Sequence, residues 1–289
     1  MKTIKQALLG LGLLVSLVSC QQNADHAQND ASHTDSLRIV SLNGTVSEIL
    51  SDLGLEKQVV GTDVASTYPE TMKSKPKVGH NKKIPIEGVL ALQPNLIIGT
   101  KQEVTEETKE QFKNAGIRLL LFDQEFSVEG TKNLIRNVSD SLKHTAKGDS
   151  ILAKFNSDMD KLNAIQVESK KPKVLFIYAR GAGTIMVGGK GTQVDKVIAL
   201  AGGENVAKDF PDYRPLTAEA LVAYNPDVLL FFNSGLTSLG NEEGLLGIQG
   251  VKETNAGKNK KIIAMDGQLL SGFSARLPLA IQELHSKIY

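Results

Sequence analysis

The chain has 289 residues, which is long enough for two lobes of ordinary domain size. Hydrophobic residues make up 41% of it and charged residues 22%, as in globular proteins and unlike disordered or fibrous ones. A net charge of +1 gives no reason to expect nucleic acid as a partner. The absence of tryptophan, with aromatic residues at only 5%, argues against an aromatic platform for carbohydrates.

The amino terminus has the pattern of a lipoprotein signal peptide over residues 1–20. A basic start, MKTIK, precedes an apolar run at residues 7–18 that is too short for a comfortable membrane span. The run ends in LVSC, where Cys20, the only cysteine, is expected to receive lipid after cleavage. The alternative is a membrane helix followed by an unmodified cysteine. Residues 21–36 are polar and without periodicity, so they predict a flexible tether. We therefore expect a lipid anchor at the periplasmic or another extracytoplasmic membrane face.

Strand and helix patterns alternate over residues 37–124 and predict a first α/β lobe. Short β-branched runs indicate strands, and amphipathic runs that end at glycine indicate helices. The predicted strands are 37–42, 58–61, 96–99 and 117–122, and the predicted helices are 45–53, 86–92 and 103–114. Such alternation is typical of a mostly parallel sheet covered by helices.

Residues 125–169 predict one long α-helix that joins two lobes. From Ser127 to Val167 the chain has no proline, and apolar residues recur at helical spacing. The apolar residues do not keep the heptad spacing that a coiled coil requires. A rigid helix that connects two lobes therefore fits the pattern better than a coiled coil.

The alternation restarts over residues 170–289 and predicts a second, similar lobe. Its predicted elements are strands at 174–178 and 261–264, helices at 192–200 and 277–288, and a helix followed by a strand within residues 217–232. The fold class predicted for the whole chain is α/β, with a central, mostly parallel sheet in each lobe.

A short pattern occurs once in each predicted lobe. Residues 85–98 read PIEGVLALQPNLII, and residues 217–230 read TAEALVAYNPDVLL. In each copy a glutamate, Glu87 or Glu219, opens a helical run that ends before proline, an Asx residue and a strand. The repeat therefore marks equivalent places in two similar lobes, and a glutamate in a first helical turn is also favoured by the helix dipole.

Sequence motifs of enzymes do not stand out. The chain has no G-x-S-x-G elbow, P-loop, H-E-x-x-H zinc motif or C-x-x-C pair. The glycines at 188–191 indicate a turn before a helix, with a phosphate cradle as the weaker alternative. We therefore expect a binding protein and not an enzyme.

The stretch ASTYPE at residues 65–70 follows the second predicted strand, where α/β folds carry ligand-binding loops. Proline after Tyr68 favours an extended backbone there, which would present the ring outward. A phenolate is a ligand for ferric iron, including haem iron. The alternative is a tyrosine packed on its own loop. His80 follows closely in the chain and belongs to the same neighbourhood.

Several segments together resemble the haem-binding proteins of haemin ABC importers. They are RIVSLNGTVSEILSDLG, VVGTDVASTYPE, KVGHNKKIPIEGVLALQPNLII, VGGKGTQVDKVIALAGG, YRPLTAEALVAYNPDVLL and IIAMDGQLLSGFSARLP. That family belongs to the helical-backbone class of substrate-binding proteins, which also serves vitamin B12 and siderophores. The resemblance runs from about Arg38 to the carboxyl terminus, with motifs in both lobes and in matching order.

The resemblance implies a ligand cleft between the lobes and a role for several residues. It implies that Tyr68 is the axial ligand of ferric haem. The metal that this residue contacts is then the iron of the haem. It implies that Glu87 and Glu219 dock on arginines of a permease dimer that works with an ATPase. Two like charges at equivalent positions suit a pseudo-symmetric surface that meets a dimer. Haem is then transported cargo and not a catalytic cofactor.

The chain departs from the family pattern in the second lobe. Where relatives often have a histidine facing haem, this chain reads YARGAG at residues 178–183. Arg180, Arg214 or Arg276 is a candidate for pairing with haem propionates or for lowering the pKa of Tyr68. His80 is a candidate second ligand or a cleft wall.

The function expected from these motifs is capture of haem and its delivery to an importer for iron or haem uptake. The alternative with the same fold is a ferric siderophore, a corrinoid or a bare metal ion. A bare ion would need several converging histidines and carboxylates, of which the sequence offers few. A chelatase-like enzyme acting on tetrapyrroles is the third hypothesis, and no acid–base pair in the sequence supports it.

Overall fold

The structure is a computed structural model that describes residues 37–80, 83–162 and 170–289. The predicted signal peptide with Cys20, the predicted tether and the end of the predicted linking helix lie outside the described residues. Within those described ranges, no helix is long and apolar enough to cross a bilayer.

The first lobe is built on a sheet of four parallel strands. These are β1 (Ile39–Ser41), β2 (Val59–Thr62), β3 (Leu96–Thr100) and β4 (Arg118–Phe122), in the order β2-β1-β3-β4. Its helices are α1 (Gly44–Asp52), α2 (Glu70–Lys73), α3 (Ile86–Leu90) and α4 (Glu106–Asn114), with a 3-10 turn at Lys101–Glu103. Strands β1 and β3 are buried along their whole length, because helices cover both faces of a parallel sheet.

The prediction of one continuous linking helix is wrong. The chain forms two helices, α5 (Val128–Ser141) and α6 (Thr145–Leu162), separated by Lys143 in the left-handed region at φ 60°. Gly148 in α6 lies so close to α5 that a Cβ there would stand 2.1 Å from the Oγ of Ser139. The periodicity hid this break, because each helix has its own apolar face.

The second lobe contains a six-stranded, mostly parallel sheet. Its strands are β5 (Lys173–Ala179), β6 (Ile185–Gly188), β7 (Glu204–Asn205), β8 (Tyr213–Pro215), β9 (Val228–Phe232) and β10 (Ile262–Met265). The order is β10-β9-β5-β6-β8, with β7 also paired to β5, and the pairs β5–β6 and β6–β8 are antiparallel. Two α/β lobes with parallel-rich sheets confirm the predicted fold class.

Helices cover the second sheet on both faces. They are α7 (Gln193–Leu200), α8 (Ala218–Tyr224), α9 (Asn233–Ser238), α10 (Asn241–Leu246), α11 (Asn255–Lys258), α12 (Gly267–Ser271) and α13 (Leu277–Ile288). Phe155 of α6 lies in the same buried cluster as Leu277 and Leu284 of α13. Helix α6 therefore packs on the second lobe, while α5 packs on α1 and β4 of the first.

The repeat seen in the sequence is a repeated structural unit. Gln93 and Asn225, which precede the two prolines, both have positive φ, at 49° and 39°. The residue after each proline then accepts a hydrogen bond from a backbone N–H beside it: Arg38 N–H donates to Asn95, and Lys173 N–H donates to Asp227. The same helix end, turn and strand connection is thus built in both lobes.

The two copies differ in charge at the residue after the proline, which is Asn95 in the first and Asp227 in the second. Asp227 accepts from Asn255 at 3.0 Å and from the Lys173 N–H at 3.1 Å. Burial of the carboxylate opposes ionisation, but these two hydrogen bonds lower the pKa of Asp227 below its usual 3.8. In the first copy the neutral Asn95 occupies the equivalent position.

Candidate ligand-binding cleft

A cleft of about 1310 Å³ is lined by residues of both lobes. Most of its walls come from segments that directly follow parallel strands. Asn43 and Gly44 follow β1, Asp63 follows β2, Gln124 follows β4, Arg180 follows β5, Asn233 follows β9 and Asp266 follows β10. Open α/β sheets bind ligands at the carboxyl ends of their strands, and here two such edges line the same space.

On the first-lobe wall, His80 is paired with a buried carboxylate. The Nδ1 atom of His80 lies 3.3 Å from Oδ2 of Asp63, whose side chain is 3% exposed. This hydrogen bond raises the pKa of His80 above its usual 6.5, although partial burial acts in the opposite direction. Both residues line the cleft, as His80 was expected to do.

The second-lobe wall is largely aromatic. The ring centre of Tyr178 lies 6.2 Å from that of Tyr213 and 6.3 Å from that of Phe232, both in edge-to-face orientation. Burial raises the pKa of Tyr213 to about 12, so its phenol stays protonated at neutral pH. These rings offer a flat apolar ligand a surface for stacking.

Cations also line the cleft, on both lobes. Arg180 stands 5.6 Å from the ring centre of Tyr178, and Lys73 and Lys83 line the opposite wall. Acidic residues are interspersed among them, including Glu70 and Asp266. A ligand with an apolar body and acidic groups at its edge would find partners for both parts.

Tyr68 lies outside the lining of this cleft. The guanidinium of Arg276 lies 3.6 Å from the centre of its ring, and the residue as a whole is 44% exposed. Both residues line a second cavity of about 770 Å³, next to α6 and the start of α13. The backbone N–H groups of Thr67 and Tyr68 both donate to Oε1 of Gln268, at 2.6 and 2.9 Å.

Arg276 belongs to a polar network that joins the lobes. It donates to both carboxylate oxygens of Glu48 on α1, at 2.6 and 2.9 Å, and the Glu48 side chain is 2% exposed. Gln268 donates to Glu48 at 2.7 Å and to the carbonyl of Gly44 at 2.9 Å. The guanidinium of Arg276 and the carboxylate of Glu48 form a bidentate ion pair, so the contact between α1 and the segment before α13 is directional.

The remaining predicted residues lie elsewhere. Arg214 stacks on Phe210 at 4.3 Å and is not among the residues that line the cleft. Glu87 and Glu219 are exposed, each in the first turn of a short helix, as the repeat predicted.

Sequence reasoning missed Asp63, Glu48 and Gln268. Asp63 had a usable signal, because it lies two residues after the predicted strand 58–61, at the edge where α/β folds bind ligands. Glu48 had a weaker one, as a charge within the apolar run TVSEIL. Gln268 had none, since its importance comes from partners that lie 200 and more residues away in the chain.

The chain matches the family described as Periplasmic binding protein over residues 39–269. The periplasmic heme-binding protein RhuT from Roseiflexus sp. RS-1, in apo form, is 37% identical, with a TM-score of 0.82 and coverage of 88% of this chain and 98% of that one. The periplasmic heme-binding protein BhuT, in complex with two hemes, is 32% identical, with a TM-score of 0.81 and coverage of 87% and 97%. The uncharacterized ABC transporter substrate-binding lipoprotein YvrC of Bacillus subtilis (strain 168) is 27% identical over 256 residues, which are 87% of this chain and 80% of the relative. Because the family match spans most of the chain, and both lobes superpose on solved relatives, this chain belongs to the periplasmic binding protein family.

Proposed function

We propose that this chain is the substrate-binding lipoprotein of an ABC importer, which captures haem in the cleft and delivers it to the permease for iron or haem uptake. The observation that carries the proposal is the chemistry of the cleft: an aromatic wall with Tyr178, Tyr213 and Phe232, basic residues at its edges and an imidazole on the other wall. The names of RhuT and BhuT, which describe heme binding, support it.

The size and chemistry of the cleft favour haem over a bare metal ion and over a ferric siderophore. Its 1310 Å³ exceed the roughly 300 to 1,000 Å³ of pockets for drug-sized ligands, so a bare ion would leave most of it unfilled. A ferric siderophore surrounds its iron with its own donors and needs no protein ligand, whereas haem leaves two axial positions open. An imidazole in the wall therefore has a use with haem that it lacks with a siderophore.

The first lobe offers two candidate ligands for the haem iron. The family resemblance names Tyr68, which would have to leave Arg276 and turn its ring into the cleft. His80 already lines the cleft. Both residues belong to the same lobe, so they would compete for one face of the macrocycle, and a second ligand would have to come from the opposite wall.

Arg180 is the predicted arginine that lines the cleft, and we assign it to the haem propionates together with Lys73 or Lys83. Arg276 has another partner in Glu48, and Arg214 lies apart from the cleft. Replacing Arg180 by glutamine should weaken haem binding. Arg214→Gln makes the same change in charge outside the cleft and is the matched control.

Glu87 and Glu219 would dock the two lobes on a permease dimer, and Cys20 would carry the lipid that holds the protein at the membrane. The exposure of both glutamates at equivalent sites of the repeat supports the first assignment. The word lipoprotein in the name of YvrC supports the second. The role is binding and delivery, without catalysis.

An absorption titration of the purified full-length protein with haemin tests the proposal. We expect a shifted Soret band that saturates at a defined ratio of haem to protein, with no comparable binding of cyanocobalamin or of a ferric siderophore in parallel titrations. Saturable binding of either rival ligand without a Soret shift for haemin would overturn the assignment of haem.

A further inference from the structure

We infer that His80 is the iron ligand of the first lobe and that Asp63 is the positioning residue that holds its imidazole in place. The inference rests on the proposed function, because it concerns how this cleft holds a ferric tetrapyrrole. It differs from the expectation based on family resemblance, which assigns the iron to Tyr68.

The first step is the direction of the imidazole. Asp63 Oδ2 lies 3.3 Å from Nδ1 of His80, and a carboxylate can only accept, so Nδ1 carries the proton. In the neutral form of the imidazole, which is the form that binds iron, the Nε2 atom has a free lone pair on the side of the ring away from Asp63. Because His80 lines the cleft, this lone pair is available to an iron atom there.

The second step is the rigidity of Asp63. Its Oδ1 accepts a hydrogen bond from Ser66 Oγ at 2.5 Å, and its Oδ2 also accepts from the Ala65 N–H at 3.2 Å. Ser66 Oγ lies 2.7 Å from Oγ of Ser47, which is fully buried in α1. A carboxylate that is 2% exposed and is held by two donors besides the histidine cannot turn away from it.

The third step is the contrast with Tyr68. Its backbone is tied to Gln268, and its ring lies against Arg276, which is itself held by Glu48. Ligation by this phenol would cost the stacking contact, whereas the one side-chain hydrogen bond of His80 among the described residues, to Asp63, is kept when its other ring nitrogen binds iron. The preformed ligand is therefore the imidazole.

A carboxylate behind a ligating imidazole has a measurable electronic effect. Such a partner fixes the tautomer and raises the basicity of the ligand, which stabilises ferric over ferrous iron. Loss of the charge at Asp63 should raise the reduction potential of the bound haem. A residue that only supported the fold would leave this potential unchanged.

The experiment compares His80→Ala, Asp63→Asn and Asp123→Asn in the full-length protein loaded with haemin. Asp123→Asn is the matched control, because it makes the same change in the same lobe at an exposed carboxylate that pairs with Lys101 and does not line the cleft. We expect His80→Ala to lose the histidine-type spectrum and to regain it on addition of free imidazole. Asp63→Asn should raise the midpoint potential and weaken haem binding by about 10- to 100-fold, the usual effect of losing such a partner. Asp123→Asn should change neither.

Two results would overturn the inference. One is an unchanged spectrum and affinity in His80→Ala together with loss of the phenolate-to-iron absorption in Tyr68→Phe, which would assign the iron to tyrosine. The other is an Asp63→Asn variant that keeps its far-ultraviolet circular dichroism and the wild-type potential. In both cases the wild-type protein still binds haem, so failure of the inference is distinct from failure of the proposed function, in which no variant would bind it.

Discussion

The ion pair between Glu48 and Arg276 should contribute strongly to stability, and Glu48→Gln tests this. The replacement has the same shape but puts an amide NH2 where one carboxylate oxygen now accepts from Arg276. Two donors would then face each other, and the Arg276 charge, on a side chain only 18% exposed, would lose its partner.

The expected size follows from the burial of the pair. Removing one partner of a buried pair costs about 3 to 5 kcal/mol, and glutamine retains one acceptor, so we expect about 3 kcal/mol. For a chain of this size each kcal/mol lowers Tm by roughly 2 to 4 °C, which gives a fall of about 6 to 12 °C.

Thermal unfolding followed by circular dichroism measures this shift. The matched control is Glu204→Gln, which breaks an exposed pair with Lys208, four residues further along the chain, and should cost well under about 1 kcal/mol. A double variant with Arg276→Gln should be less destabilised than the sum of the two single variants, because the interaction can be lost only once. A Tm shift for Glu48→Gln no larger than that of the control would refute the reasoning.

Three further predictions concern docking, anchoring and acid stability. Glu87→Arg or Glu219→Arg should abolish uptake in cells and leave haem affinity in solution unchanged; a fall in affinity with intact permease binding would contradict the docking role. Cys20→Ser should yield a soluble or unprocessed protein on membrane fractionation, and normal processing with membrane recovery would count against the lipid anchor. Because the folded pKa of Asp227 lies below its usual 3.8, its stabilisation is complete above that pH and is lost as the pH falls through the folded value. Asp227→Asn places at this position the neutral residue that the first repeat has at Asn95. Its free energy of unfolding, measured by urea titration, should therefore fall less steeply below about pH 4 than that of the wild type, and an equally steep fall would refute this.

The strands and helices of the two lobes were predictable, because the sequence patterns that indicate them involve only residues close together in the chain. Alternation of apolar runs with glycine and proline located β1 to β4, and the repeat revealed that two lobes share one building unit. The same local logic failed at the linking helix, where apolar residues recur at helical spacing on both sides of Lys143. The two helices turn back on each other and bring Gly148 close to Ser139, which is a tertiary contact that periodicity does not record.

The sequence by itself therefore determined the α/β class, the two lobes, the exposed glutamates of the repeat and the loops at the strand ends, because each depends on residues close together in the chain. The tertiary structure alone decided which side chains face the cleft. Asp63 meets His80 across 17 positions, and Glu48 meets Arg276 across 228. The direction of a side chain is set by such distant partners, because the packing and hydrogen bonds that hold it form only once the lobes are folded. For this reason Tyr68, which the motif indicates, lies against Arg276, whereas His80 lines the cleft.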